Sequence, residues 1–238
     1  MFDFNDRVVI VTGAVGNLGL ATAKAFQRAG ARTALVDRSP DRLKRAYAEI
    51  ADSRDHFLAG DVDLTDPTSV SRFVGEARER FGRLDVLVNT VGGFRGGKPV
   101  HEDDPGNWDF LFAVNVRTTL ECCRAVIPHL LRAGRGKIVN VASRGALAGD
   151  GGYAPYSAAK SAVVRLTESL ADELKESGIN VNCVLPGTID TPQNRQERPA
   201  ADHGKWVEPA AVANVILFLA SDAARAVNGA AVPVFGKA

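Results

Sequence analysis

Short apolar runs alternate with longer amphipathic stretches from one end of the chain to the other, and this alternation limits the possible folds more than any other feature. Strands separated by whole helices cannot pair as tight hairpins. They build a parallel sheet, and a parallel sheet needs helices over both faces. The runs at 8–11, 34–36, 56–59, 84–88, 138–141, 180–185 and 231–234 predict seven strands. Between them a helix is expected over 18–29, with Leu18, Ala21, Ala25 and Ala29 recurring along one face. Ser39-Pro40 and Asp66-Pro67 each offer a capping side chain followed by proline at the first helical position, so each opens a helix. Longer helices are expected over 109–132, bent or ended near Pro128, and over 155–177, closed by Gly178. The segments 92–105, 144–152 and 187–208 fit no regular element. Each follows a strand (the fourth, fifth and sixth), where a doubly wound sheet opens its ligand crevice. No repeat, linker or compositional break interrupts the rhythm, so residues 1–238 read as one domain.

Composition narrows the function classes. With 45% hydrophobic and 24% charged residues the chain has ordinary globular content. A formal charge of +1 removes the electrostatic motive for a nucleic-acid or anionic-membrane partner. No apolar run approaches the ~20 residues of a membrane span. The opening Met1-Phe2-Asp3-Phe4-Asn5-Asp6 is unlike a secretory signal. Cys122, Cys123 and Cys183 form no CxxC, and His56, His101, His129 and His203 are scattered, so a cytoplasmic chain without a metal centre is expected.

Thr12-Gly13-Ala14-Val15-Gly16-Asn17-Leu18-Gly19 joins the first strand to the first helix. Glycines there let the backbone approach a pyrophosphate, and the helix N-terminus presents free N–H groups and a partial positive charge. Asp37, at the end of the second strand, is placed to accept from both adenosine ribose hydroxyls and to repel a 2′-phosphate. NAD(H) is therefore expected over NADP(H), although Arg38 keeps the phosphorylated cofactor open. Asp61, just past the third strand, is placed either to accept from the adenine amino group or to cap a turn.

The chemical end carries Tyr156-Ser157-Ala158-Ala159-Lys160, a phenol and an ammonium on one helix face. A cation beside the phenol favours phenolate and draws its pKa down from about 10 toward the range of a general acid/base. Ser143 ends the fifth strand, where its hydroxyl suits a carbonyl or alkoxide oxygen. Asn115 lies inside the preceding long helix, a poor place for asparagine unless it holds something such as a water.

In this order, the Thr-Gly-x-x-x-x-x-Gly turn, Asp37, Asp61-Val62, Asn89, Asn115, Ser143, the Tyr-x-x-x-Lys pair and Pro186-Gly187 resemble the short-chain dehydrogenase/reductases over nearly the whole chain. The resemblance implies a Rossmann-like doubly wound seven-stranded parallel sheet, strand order 3-2-1-4-5-6-7, and interconversion of a secondary alcohol and a carbonyl. It implies Tyr156 as proton donor or acceptor, Ser143 positioning the oxygen, Lys160 lowering the tyrosine pKa and holding the nicotinamide ribose, and Asn115 keeping a relay water. Gly13, Gly16, Asn17, Leu18, Val62, Asn89 and Gly92 would join Asp37 and Asp61 around the cofactor. The stretch from Pro186 and Gly187 through Ile189 to Thr191 would meet the carboxamide. A homotetramer or dimer is implied as well.

Three places depart from the family pattern. Asn17 stands where the second glycine is usual, with the expectation that asparagine tolerates a left-handed backbone there. Asn89-Thr90-Val91-Gly92 keeps only the first asparagine and the glycine of the usual stretch. Val232-Pro233-Val234-Phe235-Gly236 lacks a common aspartate. The loops Gly92-Gly93-Phe94-Arg95-Gly96-Gly97 and 185–195 also resemble those of quinonoid dihydropteridine reductases, apart from the presence of Ser143. A pterin-type reductase is thus the nearer rival, and a non-catalytic dinucleotide-binding regulator the more distant one. Arg95, Lys98, Arg144, Arg195, Arg198 and Lys205 are interleaved with Asp150, Asp190, Glu197 and Asp202, which reads as a solvated mixed rim. Phe94 and Trp206 suit either a pocket wall or lid packing, and Tyr153 has no lysine four residues on. Adjacent Cys122 and Cys123 read as core or interface.

Overall fold

A computed structural model describes residues 2–237. The strands are β1 (Val8–Thr12), β2 (Arg32–Val36), β3 (His56–Ala59), β4 (Val86–Asn89), β5 (Gly136–Val141), β6 (Ile179–Pro186) and β7 (Ala231–Val234). They form one parallel sheet, as the alternating pattern predicts, in the order β3-β2-β1-β4-β5-β6-β7 that the family resemblance implies. Helices α1 (Asn17–Arg28), α2 (Pro40–Ala46), α3 (Pro67–Phe81), α4 (Pro105–Phe112), α5 (Thr118–Ala133), α6 (Ala154–Leu174), α7 (Pro192–Glu197) and α8 (Pro209–Ala220) cover it.

Both sheet faces are dry, and successive strand residues serve opposite layers. Val9, Val11, Val86 and Val88 pack with Phe26 of α1 and Ile216 of α8. Val8, Ile10 and Leu87 pack with Phe73 of α3 and Val126 of α5. Continuous Val/Ile/Leu runs are what a strand buried on both sides needs. Two polar exceptions inside the sheet are joined to each other, although the Asn89 Oδ1 has no partner. Asn89 and Asn140 lie opposite each other in the β4–β5 register. The Asn89 amide donates to Asn140 Oδ1 at 2.9 Å, and the Asn140 amide donates to Thr167 Oγ1 of α6 at 3.0 Å.

Several boundaries differ from the sequence reading, for local reasons. Strands β2 and β5 begin earlier, at Arg32 and Gly136, because backbone pairing continues past the apolar run. The helix expected over 109–132 starts at Pro105, where Asp104 accepts from the Gly106 N–H at 2.9 Å. It then widens into a π-helical turn at Ala113–Arg117 before α5. Pro128 lies inside α5, which runs on to Ala133 and ends at left-handed Gly134. The 187–208 segment, read as irregular, contains α7. Thr191 caps it by accepting from the Asn194 N–H at 3.1 Å, with Pro192 next, the same signal that opens α2 and α3.

The Asn89–Asn140–Thr167 chain is testable. Asn140→Ala leaves the buried Asn89 amide with only the Cys123 sulfur, 3.6 Å away, as acceptor, and the expected loss is about 2 kcal/mol of unfolding free energy, read from urea denaturation.

Candidate active site

Strands β1, β4, β5 and β6 all end at one edge of the sheet, and the candidate residues gather there. In the turn after β1, Gly13 takes φ +62°, a left-handed conformation that side chains disfavour. A Cβ on Gly19 would lie 2.1 Å from the Gly13 carbonyl oxygen, so α1 approaches its own turn too closely for any other residue. Asn17 is the first residue of α1 and does not have a positive φ, which corrects the expectation that a left-handed backbone explains it. Its amide instead donates to Gln193 Oε1 of α7 at 3.0 Å, across the mouth of the crevice. No side chain caps α1 and its first turn holds no acidic residue, so its positive end is left for a ligand. Tyr47, which the sequence reading passed over, donates from its buried hydroxyl to the Ala14 carbonyl at 2.7 Å and props the turn from behind.

A cavity of about 420 Å³ opens beside this turn, walled by Gly13, Gly16, Asp37, Val62, Val91 and Gly92 among others. Asp37 Oδ1 accepts from the Ser39 N–H at 3.1 Å, leaving Oδ2 for a ligand. Arg38 reaches Asp63 at 3.4 Å, and Arg42 donates to the Val15 carbonyl at 3.3 Å; both line the same cavity. Asp63 is held below the usual carboxylate range by hydrogen bonds from Thr65. Asp61 caps no helix, since Asp66 caps α3. It is exposed, with φ +57°, and lies outside the cavity wall. Asn89 was expected at the cofactor, but its side chain is 2% exposed and spent inside the sheet, so only its backbone is left to face a ligand. The donor set and the cavity fit a dinucleotide with its pyrophosphate on the α1 terminus and its ribose at Asp37.

At the other end, the loops after β4 and β5 meet the start of α6. Ser143 Oγ accepts from the Gly145 N–H at 3.2 Å. Burial raises the Tyr156 phenol above its ordinary value, and the nearby Ser143 hydroxyl opposes that rise. One turn on, the Lys160 ammonium is 4% exposed and donates to the Val141 carbonyl at 3.0 Å. Burial lowers its pKa from 10.5 to about 8.

Asn115 sits in the π-helical turn with its side chain fully engaged. Its oxygen accepts from the Gly93 N–H at 3.1 Å, and its amide donates to the carbonyls of Gly93 at 3.0 Å and Leu111 at 2.9 Å. The amide has no proton left for a relay water, so its visible work is to pin the loop after β4 onto the helix. Gly92 lies between this clamp and the lysine: a Cβ there would stand 2.9 Å from Asn115 Oδ1 and 3.0 Å from Lys160 Nζ.

Pro186 ends β6 and Gly187 is pressed against Phe235. Ile189 then bridges to Val207, and Thr191 begins α7. Phe94 is half exposed, with its ring edge-on to Tyr156 at 4.9 Å and 5.4 Å from Tyr153, so it forms a wall of the site. Trp206 packs on His203 at 4.4 Å, within the lid. The rim charges are largely satisfied locally, with Arg195 bonded to both Asp190 oxygens and Arg95 over the Phe110 ring. Cys122 and Cys123 are buried, and burial pushes both thiols up. Among the described residues no group of three His, Cys, Asp or Glu is arranged for a metal, and no helix is long and apolar enough to cross a membrane.

The family of short chain dehydrogenases matches residues 7–202. The chain belongs to this family and is an oxidoreductase of that kind. Among its relatives is the (2S)-[(R)-hydroxy(phenyl)methyl]succinyl-CoA dehydrogenase subunit BbsD of Thauera aromatica, 37% identical over 97% of this chain and 96% of that one. The meso-2,3-butanediol dehydrogenase of Serratia marcescens is 35% identical over 99% and 95%. A short-chain type dehydrogenase/reductase from Mycobacterium ulcerans superposes with TM-score 0.91 at 29% identity, covering 99% of this chain and 90% of that one.

The lysine gives a pH-dependent expectation. Between about 8 and 10.5 the folded chain has released the Lys160 proton while the unfolded chain still holds it, so stability gains from rising pH in that window. Relative to Lys160→Met, the wild type should gain up to about 1.4 kcal/mol per pH unit there, measured by denaturant unfolding at a series of pH values.

Proposed function

We propose that this chain oxidises a secondary alcohol or reduces the matching ketone, using NAD(H), with Tyr156 as general acid/base. The observation that carries the proposal is Tyr156 set beside Ser143 at the start of α6, with buried Lys160 one helical turn on and bonded to the Val141 carbonyl. A bound nicotinamide dinucleotide supplies the hydride acceptor for oxidation and the donor for reduction. Ser143 donates to the substrate oxygen and fixes its position. In oxidation the Tyr156 phenolate takes the hydroxyl proton as the carbon gives up its hydride. In reduction the phenol returns that proton to the carbonyl oxygen. Lys160 places a positive charge where phenolate forms, and Asn115 holds the loop that carries Gly92 against it. Phe94 and Tyr153 exclude water from the reacting carbon. The relatives' names, both dehydrogenases of hydroxylated compounds, support the reaction class. Asp37 supports NAD(H), with its free oxygen in the cavity. The family resemblance extends the reading to a cytoplasmic homotetramer.

One observation favours a second reading. The half-exposed Phe94 ring beside Tyr156 offers a flat apolar face to a planar substrate, which suits reduction of a quinonoid dihydropterin. Assaying NADH oxidation with a panel of ketones and with quinonoid dihydropterin separates the two. Turnover confined to the pterin replaces the first reading with the second.

Tyr156→Phe should lower kcat by about 10³-fold while the NADH Kd, measured by fluorescence titration, changes by less than about threefold. Because burial raises the phenol, wild-type alcohol oxidation should keep climbing with pH well above neutrality. Asp37→Ala should cut the preference for NADH over NADPH by about tenfold or more, in kcat/KM for the two cofactors. An unchanged ratio removes Asp37 from cofactor choice.

A further inference from the structure

We infer that the chain has a second ligand site, for a small phosphate-bearing anion, at the opposite edge of the sheet from the crevice. The strands begin there, at Arg7 before β1, Asp85 before β4 and Arg135 before β5. Between these starts lies a cavity of about 440 Å³, as large as the one beside the glycine-rich turn. Five cationic side chains line it: Arg7, Arg135, Lys137, Lys175 and Arg225, of which Lys175 is paired with Asp172 at 2.7 Å, just outside the lining. Only two carboxylates line it, and both are occupied. Asp85 is 3% exposed, accepts from the Val8 N–H at 2.9 Å and is bonded by Arg83, while Asp222 pairs with Arg7 at 2.9 Å. A chain of net charge +1 has gathered an excess of positive charge in one concave place.

Lys137 is the centre of the argument. It lies on a strand, in register with Asn180 of β6, so no helix terminus accounts for it. Its half-buried ammonium donates to Asn180 Oδ1 at 2.7 Å, a neutral partner. Asn180 cannot turn away, because its amide nitrogen is held by the carbonyls of Arg225 at 3.2 Å and Val227 at 3.1 Å. The ammonium is thus oriented by one bond, with two donors left over. Burial lowers its proton affinity, a cost that an anion in the cavity would offset. Arg135 and Arg225 are exposed and make no ion pair among the described residues. Two guanidinium forks and an ammonium lining one concavity are the donors that a phosphate takes.

Calorimetric titration with pyrophosphate, at constant ionic strength and with saturating NADH to fill the crevice, tests the site. Inorganic phosphate and glycerol 3-phosphate in parallel distinguish a free anion from a phosphate ester. Wild type should bind at least one of the three, and Lys137→Gln combined with Arg225→Ala should weaken that binding by at least about tenfold, with the NADH affinity unchanged. Lys137→Arg should retain it. Should Lys137→Gln not fold, exposed Arg225→Ala alone decides, with a loss of at least about threefold expected. Absence of binding by wild type at about 5 mM of each anion, or variants within about twofold of wild type, overturns the proposal.

Discussion

A carboxamide in the middle of an apolar sheet loses its water, and Asn140 compensates by bonding to a neighbour on each side, while its partner Asn89 keeps one buried oxygen unpaired. It ties β4 to β5 through Asn89 and β5 to α6 through Thr167. Strand β5 leads directly to Ser143, and α6 carries Tyr156 and Lys160 on the face that ends at Thr167. A second bond, from Lys160 to the Val141 carbonyl, joins the same two elements nearer the crevice. The serine and the tyrosine therefore meet because strand and helix are fastened at two heights, and neither fastening uses the reacting groups.

Desolvation pulls the two titratable groups of this assembly in opposite directions. It raises the phenol and lowers the ammonium, in both cases favouring the uncharged form. The nearby Ser143 hydroxyl partly offsets the burial of Tyr156. Phe94 stands beside the Tyr156 ring and remains half exposed.

Much of this was legible in the sequence because it is local or periodic. The strand order follows from unbroken strand–helix alternation together with family resemblance, and the Tyr156–Lys160 pair from helical spacing. The caps at Asp104 and Thr191 were just as visible as those at Ser39 and Asp66, and the apolar pattern around them was simply weaker. What was hidden depends on register or on distant contacts. The Asn89–Asn140 pairing needs the β4–β5 alignment, which no single strand reveals. The π-helical turn at Asn115 is an insertion with no compositional signature, so its clamp on the loop after β4 was not legible. Asn17 and Gln193 are 176 residues apart, and Tyr47 reaches the glycine-rich turn from 33 residues away.

The left-handed backbone falls on Gly13 and the tight approach on Gly19, so position 17 lies outside both demands. The three-glycine motif contains two different kinds of absence: one of a steric barrier in torsion space, the other of a single carbon between a helix and its own turn. Neither absence concerns the middle position, where the chain is at liberty to place a polar hand across the crevice, as it has done with Asn17. Counting glycines therefore ranks such turns poorly. What qualifies a turn to receive a dinucleotide is one torsion angle and one interatomic gap, and both are intact here.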